Sequence, residues 1–314
     1  MERPTVWTAT GAALLLGAAG WAVRRLFHRA ILRGLRAPRM PHDTPMHARV
    51  VAGGHIETLR LHGPGGRRLA AWIAWPAGAY PGPIPAVLVM HGWGANASTM
   101  WPVVQPLLQA GMAVLLLDAR CHGESDDEAF TSMPRFAEDI GAGLRWLADR
   151  TDIDPHRIAL IGHSVGAAAA LLYASSVAGS ADRRAPAVRA VVSVSAFAHP
   201  EEVMRRFLAA HGVPYRFPGR AVMTHVQRVI GVPFERIAPL HTIRAVRCPV
   251  LLVHGLHDDT VPYEDARRLQ AMAPAAVLLP VAGGHDLRDA LAPHADEIVG
   301  FLRRAMTEAG PAQA

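Results

Sequence analysis

The sequence predicts an α/β protein: a mostly parallel sheet with helices on both faces and a helical insertion. Three observations carry that expectation. Short unbroken apolar runs recur along the chain, stretches of helical periodicity separate them, and Gly- and His-bearing loops follow several of the runs. Strands buried on both faces read as continuous apolar runs, and parallel neighbours need a crossover, usually a helix. With 314 residues, 51% of them apolar and 18% charged, the chain has enough material for a sizeable core.

Residues 4–23 carry no charge. About 20 residues at about 1.5 Å each match the hydrocarbon thickness of a bilayer. Trp7 and Trp21 lie near the two ends, and Arg24 and Arg25 follow directly. Arg29, Arg33, Arg36 and Arg39 alternate with Phe27, Ile31 and Leu35, the pattern of a basic amphipathic helix lying on anionic headgroups. Residues 1–36 are therefore expected to be a transmembrane anchor and a juxtamembrane helix. The arginine flank predicts a single-pass protein of the cell membrane with everything after it cytoplasmic. The competing expectation is a cleaved signal, with Ala18 and Gly20 near the cut and the rest of the chain exported. The charge following the apolar run, not preceding it, counts against that.

Residues 37–49 read as a Pro-containing linker. No catalytic motif precedes His91, so a chain starting near Pro41 is expected to keep its activity. The main domain is expected over 50–308, with a tail at 309–314. It opens on two strand candidates, HIETLRLH and RLAAWIAWP, joined by Gly63-Pro64-Gly65-Gly66, a hairpin signal. Buried runs follow at 86–90, 113–117, 158–161, 190–194, 250–253 and 276–280. Helical stretches lie between them at 134–150 and 165–176. The interval from about 198 to 246 has helical patches and no strong strand, and reads as a cap over the sheet.

Composition excludes several classes. Lysine is absent and all 32 basic residues are arginine. The net charge of +6 gathers near the N-terminus and comes with no nucleic-acid-reading motif, so no nucleic-acid partner is expected. Cys121 and Cys248 are far apart and form neither a disulfide framework nor a CxxC site. No cofactor pattern is present, and His254, His257 and Asp258 lie in one strand-to-loop stretch without a separate third ligand cluster. No metal is expected.

Chemistry concentrates in three motifs. Gly162-His163-Ser164-Val165-Gly166 follows an apolar strand and opens a helix. That context makes Ser164 the candidate nucleophile on a tight turn whose glycines relieve crowding. A serine hydroxyl needs a base, and the base needs an orienting acid. His285, in Gly283-Gly284-His285-Asp286-Leu287, is the candidate base. Asp258, in HGLHDDTVP, is the candidate orienter, with Asp259 its rival. Both follow strands, where open α/β sheets build their sites. The third motif, His91-Gly92-Trp93-Gly94, follows another strand. The backbone N–H groups of Trp93 and Val165 are the candidate oxyanion donors.

HGWG, DARCHGES, GHSVG, PVLLVHGLHDDTVP and GGHDL, in this order, resemble the signatures of the α/β-hydrolase superfamily, over roughly His55 to Met306. Within it the chain most resembles the serine aminopeptidase S33 / monoacylglycerol lipase-like group. The resemblance implies the α/β-hydrolase fold. It also selects Asp258, three residues after the His-Gly glycine and four before the Val-Pro proline. It implies that His91, His122 and His163 pack loops. One departure is Cys121, where D-x-R-G-H-G-x-S usually has glycine. The expected activity is cleavage of an ester or thioester of a hydrophobic acyl group; the alternatives are an aminopeptidase, with Glu201 and Glu202 holding a substrate ammonium, and a non-catalytic scaffold.

Overall fold

The structure is a computed structural model that describes residues 6–178, 185–286 and 291–307, with side chains from residue 17 onward. Eight strands among these residues form one sheet: β1 (His55–His62), β2 (Arg68–Trp75), β3 (Ile84–Met90), β4 (Ala113–Leu117), β5 (Ile153–His163), β6 (Val191–Val194), β7 (Val250–Gly255) and β8 (Val277–Val281). Their order is β1-β2-β4-β3-β5-β6-β7-β8. The β1–β2 hairpin and the β2–β4 pair are antiparallel, and the rest is parallel.

Among the described residues ten α-helices accompany the sheet: α1 (Val6–Gly34), α2 (Val104–Gln109), α3 (Met133–Ala148), α4 (Val165–Val177), α5 (Pro200–Ala210), α6 (Arg220–Ile230), α7 (Phe234–Ile237), α8 (Pro239–Thr242), α9 (Tyr263–Met272) and α10 (Ala295–Thr307). The pleat sends successive side chains to opposite faces, so each apolar run feeds two cores. Leu88, Leu115, Leu117 and Leu160 join Phe136, Ile140 and Leu144 of α3 and Ala167–Ala170 of α4. Val87, Val89, Leu116 and Ile161 join Leu107 of α2 and Ile298 and Leu302 of α10. Gly143 lets α3 close on the sheet, since a Cβ there would come 2.5 Å from Leu88 Cδ1. The interval between β6 and β7 holds α5 to α8 and no strand among the described residues.

The N-terminus departs from expectation. The apolar stretch 4–23 begins outside the described residues, and the side chains of 6–16 are not described. Among the described residues no helix is long and apolar enough to cross a membrane, so the expected span finds no support there. The basic segment is not a separate helix: α1 runs on through it to Gly34. Nor is its apolar face free for headgroups. Ile31 is buried, and Phe27 and Leu35 pack on the same core. His28 Nδ1 meets His225 Nε2 of α6 at 3.0 Å, and Thr131 N–H donates to Leu35 O at 2.9 Å. Burying that stripe on the domain satisfies the hydrophobic demand read from the sequence as a membrane demand.

Residues 37–49 are not a free linker either. Arg39 donates to Gly123 O, Ser125 O and Asp127, while Asn96 Nδ2 donates to Met40 O and Pro41 O. The segment is strapped across the loops that follow β3 and β4. The 309–314 tail lies outside the described residues.

Candidate active site

β5 ends at His163 and α4 begins at Val165, leaving Ser164 alone on the turn. Its φ is 54° and ψ is −118°, a conformation few non-glycine residues adopt. Two glycines make the turn possible. A Cβ on Gly162 would fall on the Gly166 carbonyl, and one on Gly166 would fall on His91 O. Ser164 N–H donates to Val194 O at 2.8 Å, tying the turn to β6.

The loop after β7 supplies Asp258 and the loop after β8 supplies His285. His285 Nε2 lies 3.0 Å from Ser164 Oγ, and its Nδ1 lies 2.8 Å from Asp258 Oδ2. Asp258 Oδ1 accepts from Val261 N–H at 2.7 Å and Thr260 N–H at 3.0 Å. Burial opposes charge on this carboxyl, but hydrogen bonds from His254, His285 and Val261 N–H hold it well below the usual carboxylate range. It is therefore ionised and an acceptor, which assigns the His285 proton to Nδ1. Asp259 stays outside this arrangement, with a 3.2 Å contact to the Thr260 hydroxyl.

Val165 is the first residue of α4, so its N–H has no acceptor within the helix. Gly92, just before Trp93, lies against Ser164: a Cβ there would come 3.3 Å from Ser164 Cβ. Trp93 is 39% exposed, and its ring lines a cavity of about 420 Å³ beside His285. The other walls include Pro38, Met40, Ala95, Met100, Val103, His163 and Leu291. No residue of α5 to α8 lines it. The wall expected from the insertion comes instead from the N-terminal strap.

Three histidines brace the floor. His91 Nδ1–H donates to Gly92 O at 2.7 Å, and His91 Nε2 accepts from Ala119 N–H. His122 Nδ1–H donates to Arg120 O, and its Nε2 accepts from Gly94 N–H, both at 3.1 Å. His163 Nε2–H donates to His285 O at 2.9 Å. Burial keeps all three neutral: it lowers His91, takes His122 to about 3 and takes His163 to about 4.

Asp118, His42 and Asn96 belong to this site and escaped the sequence reading. Asp118 is fully buried and accepts from Ala97 N–H at 2.7 Å, Glu124 N–H at 2.8 Å and His42 Nε2 at 3.0 Å. Its place in DARCHGES marked it as part of a motif, but nothing local pointed to His42, 76 residues away. Among the described residues no group of three or more His, Cys, Asp or Glu side chains is arranged to hold a metal ion.

A family model described as "Alpha/beta hydrolase family" matches residues 86–300. The chain belongs to the alpha/beta hydrolase family. The uncharacterized protein Rv2307c of Mycobacterium tuberculosis is 33% identical over 224 residues, 70% of this chain and 69% of that one. The esterase YjfP of Escherichia coli is 29% identical over 213 residues, 63% of this chain and 78% of that one. Among solved structures, the Pyrococcus furiosus esterase Pf2001 superposes with a TM-score of 0.64 at 20% identity, covering 86% of this hydrolase and 99% of that chain. Est1E of Butyrivibrio proteoclasticus, solved with ferulic acid bound, gives 0.62 at 19% identity, covering 80% and 100%. At those identities the two structures speak for the fold alone.

Proposed function

We propose that this hydrolase cleaves a carboxylic ester or thioester of a hydrophobic acyl group through an acyl-enzyme on Ser164. The observation that carries the reading is the unbroken relay from Ser164 Oγ to His285 at 3.0 Å and on to Asp258 at 2.8 Å. Ser164 Oγ attacks the acyl carbon while His285 Nε2 takes its proton. The oxyanion is met by the N–H groups of Trp93 and Val165. His285 then gives the proton to the leaving oxygen or sulfur, and the carbonyl reforms as the acyl-enzyme. Water repeats the cycle and releases the acid. Asp258 keeps Nδ1 protonated and holds the ring in place. An apolar acyl group suits walls of Met40, Trp93, Met100 and Leu291.

The aminopeptidase alternative loses its support. Glu201 accepts from the Tyr215 hydroxyl, and Glu202 takes two bonds from Arg268, at 2.7 and 3.0 Å. Neither lines the cavity. The deciding experiment is labelling by a fluorophosphonate, followed by turnover of acyl esters, thioesters and aminoacyl amides. Labelling at Ser164 with ester turnover is expected. No label and no turnover would favour the scaffold reading.

We also propose that α1 brings the enzyme to the cell membrane with the hydrolase domain cytoplasmic. Trp21 and Val23 before Arg24 and Arg25, and Leu26 after them, are exposed. Arg24, Arg220 and Arg228 line a groove with Val23 and Phe27, a pairing of cationic and apolar groups suited to anionic headgroups. Sedimentation with anionic membranes that high salt weakens is the expected result. A mature N-terminus near Trp21, read by mass spectrometry, would instead establish a cleaved signal and export.

A further inference from the structure

The strap from Pro38 to His42 does more than connect α1 to the sheet. Pro38 and Met40 line the same cavity as Trp93, His163 and His285. Met40 keeps 51% of its surface exposed beside the catalytic pair, a large apolar side chain with room to meet a ligand. The ring of Pro38 lies on Gly94: a Cβ at Gly94 would come 3.2 Å from Pro38 Cγ.

Two hydrogen-bonded ties fix the strap to the loop that carries Trp93. The first runs through Asn96, whose side chain is nearly fully buried. Its amide donates to Met40 O at 3.0 Å and Pro41 O at 3.1 Å, while its carbonyl oxygen accepts from Ser98 N–H at 3.0 Å and the Ser98 hydroxyl at 2.6 Å. The second runs from His42 Nε2 to Asp118 Oδ2 at 3.0 Å, and from Asp118 Oδ1 to Ala97 N–H at 2.7 Å. No arginine pairs with Asp118 among the described residues; its basic partner is His42. Removing His42 would leave a buried carboxylate short of a donor next to the segment that follows Trp93.

We propose that residues 38–42 are a specificity-determining wall of the active site, with Met40 limiting the acyl chain that fits and His42 acting as a positioning residue for the loop that bears Trp93. The proposal rests on the acyl-enzyme reading and deepens it. The substrate class that follows is an ester whose acyl chain runs from Ser164 along Trp93 and Met100 toward Met40. A thioether side chain there adapts to a flexible aliphatic chain better than to a rigid polar one. Because Met40 sits six residues beyond the end of α1, the wall is covalently continuous with the N-terminal helix.

The test uses the full-length protein and p-nitrophenyl esters from acetate to hexadecanoate. Met40→Trp should lower the ratio of kcat/KM for octanoate to that for acetate at least tenfold, and Met40→Ala should move the preferred chain length upward. His42→Leu should lower kcat about tenfold or more for every ester while changing KM less. His42→Gln, whose amide N–H can still reach Asp118, should restore most of kcat. Melting temperatures of the two His42 variants, measured alongside, separate positioning from unfolding. An unchanged chain-length profile in both Met40 variants overturns the wall. A His42→Leu protein with unchanged kcat, or a His42→Gln protein as slow as His42→Leu at equal melting temperature, overturns the positioning role. Fluorophosphonate labelling of the unaltered protein tests the underlying reading separately. A labelled Ser164 with unchanged selectivity sinks this proposal alone, and an unlabelled one sinks both.

Discussion

The turn at Ser164 and the strap at Pro38–His42 serve the same end of the sheet by opposite means. The turn is self-contained: two glycines and a strained serine, five residues in all, set its shape. The strap has no shape of its own. It is held by bonds that cross 55 to 86 residues of sequence, from Asn96, Asp118, Gly123 and Ser125. In the proposed mechanism one region concentrates its function in a single atom, Ser164 Oγ. The other spreads it over several bonds, so its loss should come in parts.

The largest effect is expected at the turn. Ser164→Ala should remove fluorophosphonate labelling and lower kcat by about 10⁴-fold or more. In the same relay, Asp258→Asn should cost about 10⁴-fold, the size found when an orienting aspartate is lost from a serine protease. Asp259→Asn should stay within about threefold, as expected of a surface change. An Asp259 variant worse than the Asp258 variant would mean that the relay has been assigned to the wrong carboxylate. Against these, deleting residues 1–40 tests the strap. The sequence alone said that such a chain keeps its activity. With Pro38 and Met40 in the wall and Arg39 gripping the loop after β4, a loss of about tenfold in kcat/KM for long-chain esters is expected, since small displacements of a catalytic loop are costly. Full retention would return the segment to the status of a linker.

The same contrast explains what the sequence disclosed. Strands announce themselves through apolar runs, because burial on both faces leaves few other residue choices. The expected runs at 86–90 and 113–117 lie within β3 and β4. GHSVG was legible because its chemistry and its sterics are local. His42 and Met40 were not, because their meaning depends on what the fold brings beside them. A proline-bearing stretch with scattered arginines looks the same whether it hangs free or binds two loops. The stripe of Phe27, Ile31 and Leu35 was misleading for a related reason: an amphipathic helix declares that it has an apolar partner, not whether the partner is lipid or protein.

A change in pH probes the brace beneath both regions. His91, His122 and His163 are held neutral, with His122 lowered to about 3 and His163 to about 4. Unfolding would return them to about 6.5. Below that value the unfolded chain binds the extra protons, so these groups lose stability as pH falls. His42 runs the other way. Burial opposes its charge, but the hydrogen bond and charge of Asp118 raise it, so its contribution is complete below about 6.5 and is lost as pH climbs through the raised value. His225 is lowered as well, while Asp139, pushed up to about 6 by burial, runs with His42. With four lowered groups against two raised ones, the melting temperature should drop from pH 7 to pH 5. His122→Gln, which keeps an acceptor for Gly94 N–H, should flatten the slope. A melting temperature that is level across that range would contradict the neutral brace.

The smallest effect is expected at Cys121, where the likeness to related hydrolases leads one to expect glycine. Cys121 has a φ of 67°, the left-handed region that glycine adopts without cost. A side chain there costs about 1–2 kcal/mol in backbone strain. Two gains offset it. The buried thiol accepts from Glu128 N–H at 3.2 Å, and burial of a small apolar side chain adds about 1 kcal/mol. Glycine would also loosen the unfolded chain by roughly 0.5–1 kcal/mol. These terms nearly cancel, so Cys121→Gly should shift the melting temperature by less than about 4 °C in either direction and leave ester turnover within about twofold. A larger loss of stability would show that the sulfur tie to Glu128 holds the loop that Arg39 also grips. The loop after β4 would then depend on distributed contacts as the strap does, and not on local sterics as the Ser164 turn does.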